Sequence, residues 1–197
     1  NIWSFAEGLG RENARTRVSF ATTGVDARAD WAVHPQHLVS LGTNVWRMEA
    51  SPERFLASPP AFAFVRNDPF RDGSVEALGV YVQDDMQFGK LNVLAGLRHD
   101  TVEGGAASIA NGAVTTGLVR SDSAWSGSLG AVYEVDPLLR PYASVSRGYR
   151  AGEMRERFES SPRGDGYFYF GNPQIRPDTS AQVELDLLGE ARQVGDA

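Results

Sequence analysis

Cysteine is absent from the 197 residues. That excludes a disulfide framework and any thiolate metal site. Histidine is scarce, at three. His34 and His37 flank Pro35 in an HxxH spacing, but no third ligand follows at a usable interval, so they read as solvated turn residues rather than zinc ligands. No GxSxG, Walker A or GxGxxG stretch occurs, and no catalytic constellation replaces them. Asp84-Asp85, and Glu184 with Asp186, are carboxylate pairs. They read as facing water or pairing with Arg98 or Arg147 rather than as general acid and base. The chain therefore reads as a non-enzyme with no intrinsic metal or cofactor.

Other shortages narrow the class. Lys and Arg number 19 against 25 Asp and Glu, a net charge of −6. With no basic cluster, nucleic acid is not an expected partner. No apolar run approaches the ~18 residues of a membrane helix. The opening NIWSFAEG has no basic, apolar and small-residue series of a signal peptide. If the chain is membranous it must be a β-barrel, because only helices and closed barrels satisfy backbone polar groups in lipid. A mean hydropathy of −0.31 does not decide, since barrel strands with polar lumen faces give such averages.

What is present is alternation of period two, the mark of a strand with one apolar and one polar face. Val39, Leu41, Thr43 and Val45 alternate with Ser40, Gly42 and Asn44. The same pattern predicts strands over 16–33, with a bulge near Gly24, and over 37–49, 75–88, 91–101, 119–135, 140–149 and 181–187. With the first residues, about eight strands are expected. Gly89-Lys90 reads as a two-residue hairpin turn. The stretch 50–74 carries Pro52, Pro59, Pro60 and Pro69, which argues against regular structure.

The connections alternate. Those at 34–36, 89–90 and 136–138 are short; those at 50–74, 102–118 and 151–177 are long. In an up-and-down meander one rim then carries only tight turns and the other only long loops, as in transmembrane barrels. The fold expected is all-β, an antiparallel up-and-down transmembrane barrel segment. Two alternatives stand beside it. A soluble β-sandwich binding domain would place Val39, Leu41, Val80, Val82, Val183 and Leu185 in a common core. A small closed eight-stranded barrel would serve as a passive channel or adhesin.

The stretch 140–190 reads as strand, long loop, strand. Within it, YRAGE followed by GNPQIRPDTS and VELDL resembles the FRAP and NPxL boxes of TonB-dependent outer-membrane receptors. Tyr149, Arg150 and Ala151 match the first box; Asn172, Pro173 and Pro177 match the second. Gly152 stands where the family has Pro, and Asp178 where it has Glu. HLVSLGTNVWRMEA (37–50) and GVYVQDDMQFGKLNVLAGLRHD (79–100) are also similar, mainly to the haem and haemoglobin branch. The resemblance implies one barrel domain over 1–197, about a third of a ~22-stranded barrel, with plug, signal peptide and closing strands outside this chain. It implies the outer membrane of a Gram-negative bacterium, an inner-membrane energy-coupling partner and an iron-bearing cargo, haem or haemoprotein or a ferric siderophore.

Within the loop, Arg150 is expected to bind a propionate or siderophore carboxylate as a fork, or to hold the loop through Glu153 or Glu156. Tyr167 and Tyr169 are candidate haem ligands, since the loop contains no His and Tyr and Met can ligate haem iron. The alternative for YFYF is an aromatic girdle or loop-packing cluster. Asn172-Pro173 is expected to set a turn.

Overall fold

A computed structural model describes residues 2–6, 11–136, 138–162 and 167–188. The tail 189–197, read as a turn after the last strand, and Pro137 of the expected short turn lie outside the described residues.

Alternating sequence becomes one wall of seven antiparallel strands, each paired with its sequence neighbour. They are β1 (Phe20–His34), β2 (His37–Ala50), β3 (Gly73–Phe88), β4 (Leu91–Gly105), β5 (Arg120–Tyr133), β6 (Arg140–Arg150) and β7 (Asp178–Leu188). Turns join β1 to β2, β3 to β4 and β5 to β6 at one rim; the long connections leave the other. The wall is open among the described residues, with β1 and β7 at its edges. Ile2–Ala6, the eighth expected strand, instead joins a separate leaf with Arg11–Arg17, Glu53–Ala57 and Phe64–Arg66. Seven strands with free edges are not the small closed barrel.

Nor is the protein a sandwich. Leu41, Val80, Val82, Val183 and Leu185 are exposed rather than sharing a core. Register explains why: Val45 lies opposite both Val25 and Leu78, Val82 opposite Leu41 and Leu97, and Val145 opposite Leu129 and Val183. One face of the wall is a largely apolar band. Leaving such side chains in water forgoes about 1.5–3 kcal/mol each, so the band calls for an apolar surround. On β3 it runs from Leu78 to Phe88, ten residue steps, broken by Asp84, which pairs with His37 on the same face. That is about 33 Å of strand at ~3.3 Å per residue, or about 25 Å of height at a tilt of ~40°. Above it the same face turns ionic, with Arg47 bridging Glu49 and Glu76.

The opposite, inner face is polar and close-fitted. Tyr81 lies across Gly42 and Arg98 across Gly79, so a Cβ at either glycine would overlap a neighbouring side chain. Several arginines are neutralised two residues along their own strand: Arg28 by Asp30, Arg98 by Asp100 and Arg120 by Asp122.

Several expectations change. The stretch 50–74, expected to lack regular structure, holds the short strands Glu53–Ala57, Phe64–Arg66 and Phe70–Arg71. The bulge does not fall at Gly24, where register is unbroken from Thr23 to Val25. A Cβ there would sit 3.0 Å from Trp46 Cβ, a tight contact that glycine avoids. Irregularity falls instead between Ala32 and His34, and the strand expected over 16–33 breaks at 18–19. The strand expected to end at 101 continues to Gly105 because Val102 and Gly104 stay paired on both sides, with Ala77 and Val75 on β3 and with Asp122 and Arg120 on β5. The strand expected over 119–135 ends at Tyr133.

In the intact protein in a bilayer, Val82→Arg at mid-band should cost about 2–4 kcal/mol, and Gln83→Arg, one residue on and on the inner face, far less. Chemical denaturation of both variants in lipid vesicles measures the difference; equal losses would sink the assignment of faces.

Candidate functional site beneath the long loops

The start of the loop 151–177, expected to be irregular, folds down onto the inner face. Among the described residues the loop contains a single helical turn, α1 (Met154–Phe158). Glu153 and Glu156 form a capping box at its start, satisfying backbone donors reciprocally. Met154 and Phe158, four residues apart, share one side of the turn. They join Ala50, Phe70, Val75 and Val102 in a buried cluster against which Trp46, Met48 and Tyr149 pack. Tyr149 thus belongs to the inner cluster, although Val145, of the same parity in the strand, is exposed on the apolar face. Pairing between β5 and β6 stops at Gly127 with Arg147; beyond it β6 follows β7 alone.

Arg157 is the anchor of the loop. Its side chain is wholly buried. Nε donates to Gly152 O at 2.9 Å and Nη2 to Asp122 Oδ2 at 3.2 Å. Gly171 packs against its backbone, where a Cβ would come within 2.7 Å of its carbonyl. Burying a guanidinium is costly unless paired, so the Asp122 contact holds α1 on the wall.

The two boxes meet here. A Cβ at Gly152 would lie 2.5 Å from Ile175 Cγ2, so Ile175 of the second box occupies the room that a proline ring at 152 would need. Asn172 N–H donates to Glu156 O at 2.8 Å, and its side chain accepts from Gln174 N–H at 2.9 Å. With Ile175 N–H on Asn172 O, Asn172-Pro173 forms a turn. Pro177 directly precedes β7.

Arg150 closes the loop at its base. It forks onto Glu156 at 2.9 and 3.1 Å and reaches Asp178 Oδ2 at 2.6 Å. Of the two roles open to it, the hold through Glu156 is the one formed here. The guanidinium bond, then the Glu153 N–H bond, hold the Glu156 carboxyl below its usual range. Tyr167 is exposed, and Tyr169 is half-buried with the Arg155 guanidinium 6.0 Å from its ring centre. Phe168 and Phe170 stack at 4.5 Å on the short hairpin 160–162 with 168–170.

The three long loops are cross-tied. Arg54, buried in the loop 51–72, donates to Ser160 O at 2.5 Å. Asp68, fully buried, takes Arg54 N–H, Arg66 and Arg71. Burial pushes its carboxyl up, but those three donors outweigh it and the net direction is down. Gln174 of the loop 151–177 reaches Gly117 O in the second long loop. Arg157, Asp122, Arg54 and Asp68 were not singled out in the sequence. The one signal for α1 was Met154 and Phe158 at helical spacing in a charged stretch. His37 is paired with Asp84 at 2.8 Å, and among the described residues no cluster of metal-ligating side chains forms.

Comparison with known proteins gives a family and a fold. A family model described as TonB dependent receptor-like, beta-barrel, matches residues 3–188. No curated protein matches by sequence. Among solved structures, the copper transporter OprC is similar at a TM-score of 0.74 and 16% identity, over 95% of this chain and 29% of that one. The FrpB iron transporter from Neisseria meningitidis is similar at 0.61 and 17%, over 93% and 27%. A Serratia marcescens hemophore receptor HasR, solved with its hemophore HasA and heme, is similar at 0.58 and 16%, over 87% and 30%. The chain spans less than a third of each of these proteins.

Arg157→Ala leaves Asp122 without its buried partner and should cost the loop on the order of 3 kcal/mol. Hydrogen exchange would read it as lost protection over 153–162, and unchanged protection would show that the pair does not hold α1. Because the Glu156 carboxyl is depressed, its contribution is present above the ordinary carboxylate range and lost as pH falls through the folded value. Glu156→Gln at pH 7 should therefore loosen the same segment as acid does, and the variant should lose the pH response.

Proposed function

The chain belongs to the TonB dependent receptor-like β-barrel family, and from that membership we propose that it is part of the wall of an outer-membrane receptor for energy-coupled uptake of an iron-bearing ligand. The observation that carries this is the cross-section of the wall. An outward apolar band about 25 Å tall, backed by a polar inner face, fits lipid on one side and an aqueous lumen on the other. The loops gathered at one rim, with 151–177 laid onto the inner face, fit a mouth through which a ligand enters. The energy-coupling partner would sit in the inner membrane and act through a region preceding this segment.

The cargo is haem or haemoprotein, or a ferric siderophore. Similarity in 37–50 favours the haem branch, while the lack of histidine in 151–177 favours a chelate held without imidazole. Arg150 supplies a fork for a carboxylate once Glu156 is displaced. The exposed Tyr167 and half-buried Tyr169 supply aromatic faces and phenol oxygens. Phe168 and Phe170 extend the same surface.

In iron-limited cells carrying the full-length receptor, uptake of labelled haem or ferric siderophore should stop when the proton-motive force is collapsed. Uptake that continues would reject the coupled mechanism in favour of a passive channel. If haem is the cargo, Tyr167→Phe with Tyr169→Phe should remove a tyrosinate signature from the absorption spectrum of the bound form. An unchanged spectrum would clear both residues of ligation.

A further inference from the structure

A pocket of about 460 Å³ opens above the outward face, where the loop 51–72 leaves β2 and returns to β3. Arg17, Ser19, Ser51, Arg66, Arg71 and Asp72 contribute to its lining. Register fixes the side on which it lies. Ala50 packs in the inner cluster and pairs with Gly73. Ser51 and Asp72, one step beyond and bonded at 3.0 Å, continue the alternation that turns Arg47 and Glu49 outward. Two of the guanidiniums are held from behind. One oxygen of the buried Asp68 accepts Nε–H of Arg66 at 2.7 Å and of Arg71 at 3.1 Å. Both side chains stay about half exposed beyond that contact. Arg71 also donates to Asn111 Oδ1 at 3.2 Å. Glu53 Oε1 stands 3.9 Å from Arg66 Nη2, too far for a hydrogen bond. Arg17, opposite Glu53 in the leaf, is exposed and makes no hydrogen bond or ion pair among the described residues. Three guanidiniums thus converge on one pocket. Asp68 is spent on holding two of them and Asp72 on the Ser51 hydroxyl, so Glu53 is the one carboxylate placed to compete for them.

We propose that this pocket binds a phosphate group of a phosphorylated glycolipid in the surrounding membrane. Arg17, Arg66 and Arg71 suit it because the planar guanidinium offers two parallel donors to two phosphate oxygens. Height selects the kind of lipid. Gly73, just below the pocket, stands five residue steps above Leu78, the top of the apolar band. That is about 16 Å of strand, or about 13 Å of height at a tilt of ~40°. The headgroup layer adds only ~5–8 Å to each side of the hydrocarbon, so the phosphate of a glycerophospholipid stops short of the pocket. A phosphate carried on a sugar farther from the acyl chains reaches it. The path to the lipid is open on the same side. A second hollow shares Ser19, Ser51 and Asp72 with the pocket and descends to Arg47, Glu49 and Ser74 on the ionic rim. The site concerns the outward face alone and is independent of the cargo.

The test uses the full-length receptor, delipidated in detergent micelles and titrated by native mass spectrometry. The probes are a rough lipopolysaccharide phosphorylated on its core sugars, the same lipid dephosphorylated, dioleoylphosphatidylglycerol and inorganic phosphate. The phosphorylated glycolipid should bind about tenfold or more tightly than each of the other three. Arg17→Ala, which strands no internal partner, should weaken its binding by about three- to tenfold. Glu53→Gln removes the competing carboxylate and should tighten binding by a similar factor. Arg66→Lys with Arg71→Lys keeps the charge beside Asp68, loses the forks and should weaken binding. Circular dichroism of each variant shows that the sheet is intact. Equal affinity for the dephosphorylated lipid or for dioleoylphosphatidylglycerol overturns the proposal, as does a Kd that is unchanged in both Arg17→Ala and Glu53→Gln. Inorganic phosphate bound as tightly as the glycolipid makes the site one for a free anion and overturns the assignment to a lipid.

Discussion

Backbone pairing in a single register fixes which way every side chain of the wall points. A shift of one residue between neighbouring strands would exchange the apolar face for the polar one. The ladder from β1 to β7 allows no such slip. Gly42 can only lie where Tyr81 crosses it, and Gly79 only under Arg98. Those fits place Leu41, Val80 and Val82 outward and give the wall its two solvents. The height of the band, the ionic rim above it and the inward position of the loop follow from that choice.

The loops then behave as one body rather than three. Arg54, held from within its own loop by Asp68, ties the first to the third, Gln174 ties the third to the second, and Arg157 ties the third to the wall. The Arg54 and Arg157 ties involve buried groups whose loss would leave an unpaired partner, a larger penalty than the gain from making the contact. The loop rim of the wall is consequently prearranged, its side chains fixed before anything meets them.

The strands were legible in the sequence because alternation of period two is a direct image of a half-exposed sheet, and because Gly89-Lys90 and the prolines of 50–74 punctuate it. Strand ends were less so. Val102 and Gly104 look like the start of a small-residue loop, yet neighbours on both sides keep them in the ladder. Gly24 looked like a bulge and is instead a clearance for Trp46. The boxes around Tyr149 and Asn172 were visible, but their contact through Gly152 and Ile175 was not, since it joins residues far apart in the chain. Arg157 was invisible for the same reason: nothing in MRERF tells which of its two arginines, Arg155 or Arg157, is buried. That is decided by Asp122, a residue of another strand.

Three arginines on the inner face of the wall carry their own counter-ions. Arg28, Arg98 and Arg120 each meet an acid two places along the same strand. A cross-strand ion pair exists only after two strands have met; these form within one. A hairpin approaching a membrane can thus arrive already neutral, and desolvation of a bare guanidinium, among the larger penalties of insertion, is avoided at every stage of assembly. The corollary is that these charges contribute little to choosing a strand's neighbour. Selection of partner falls to shape, to the glycine clearances and the bulky residues that fill them. Exchanging Asp100 for a cross-strand acid would leave net charge unchanged and yet alter the order in which the wall can be built.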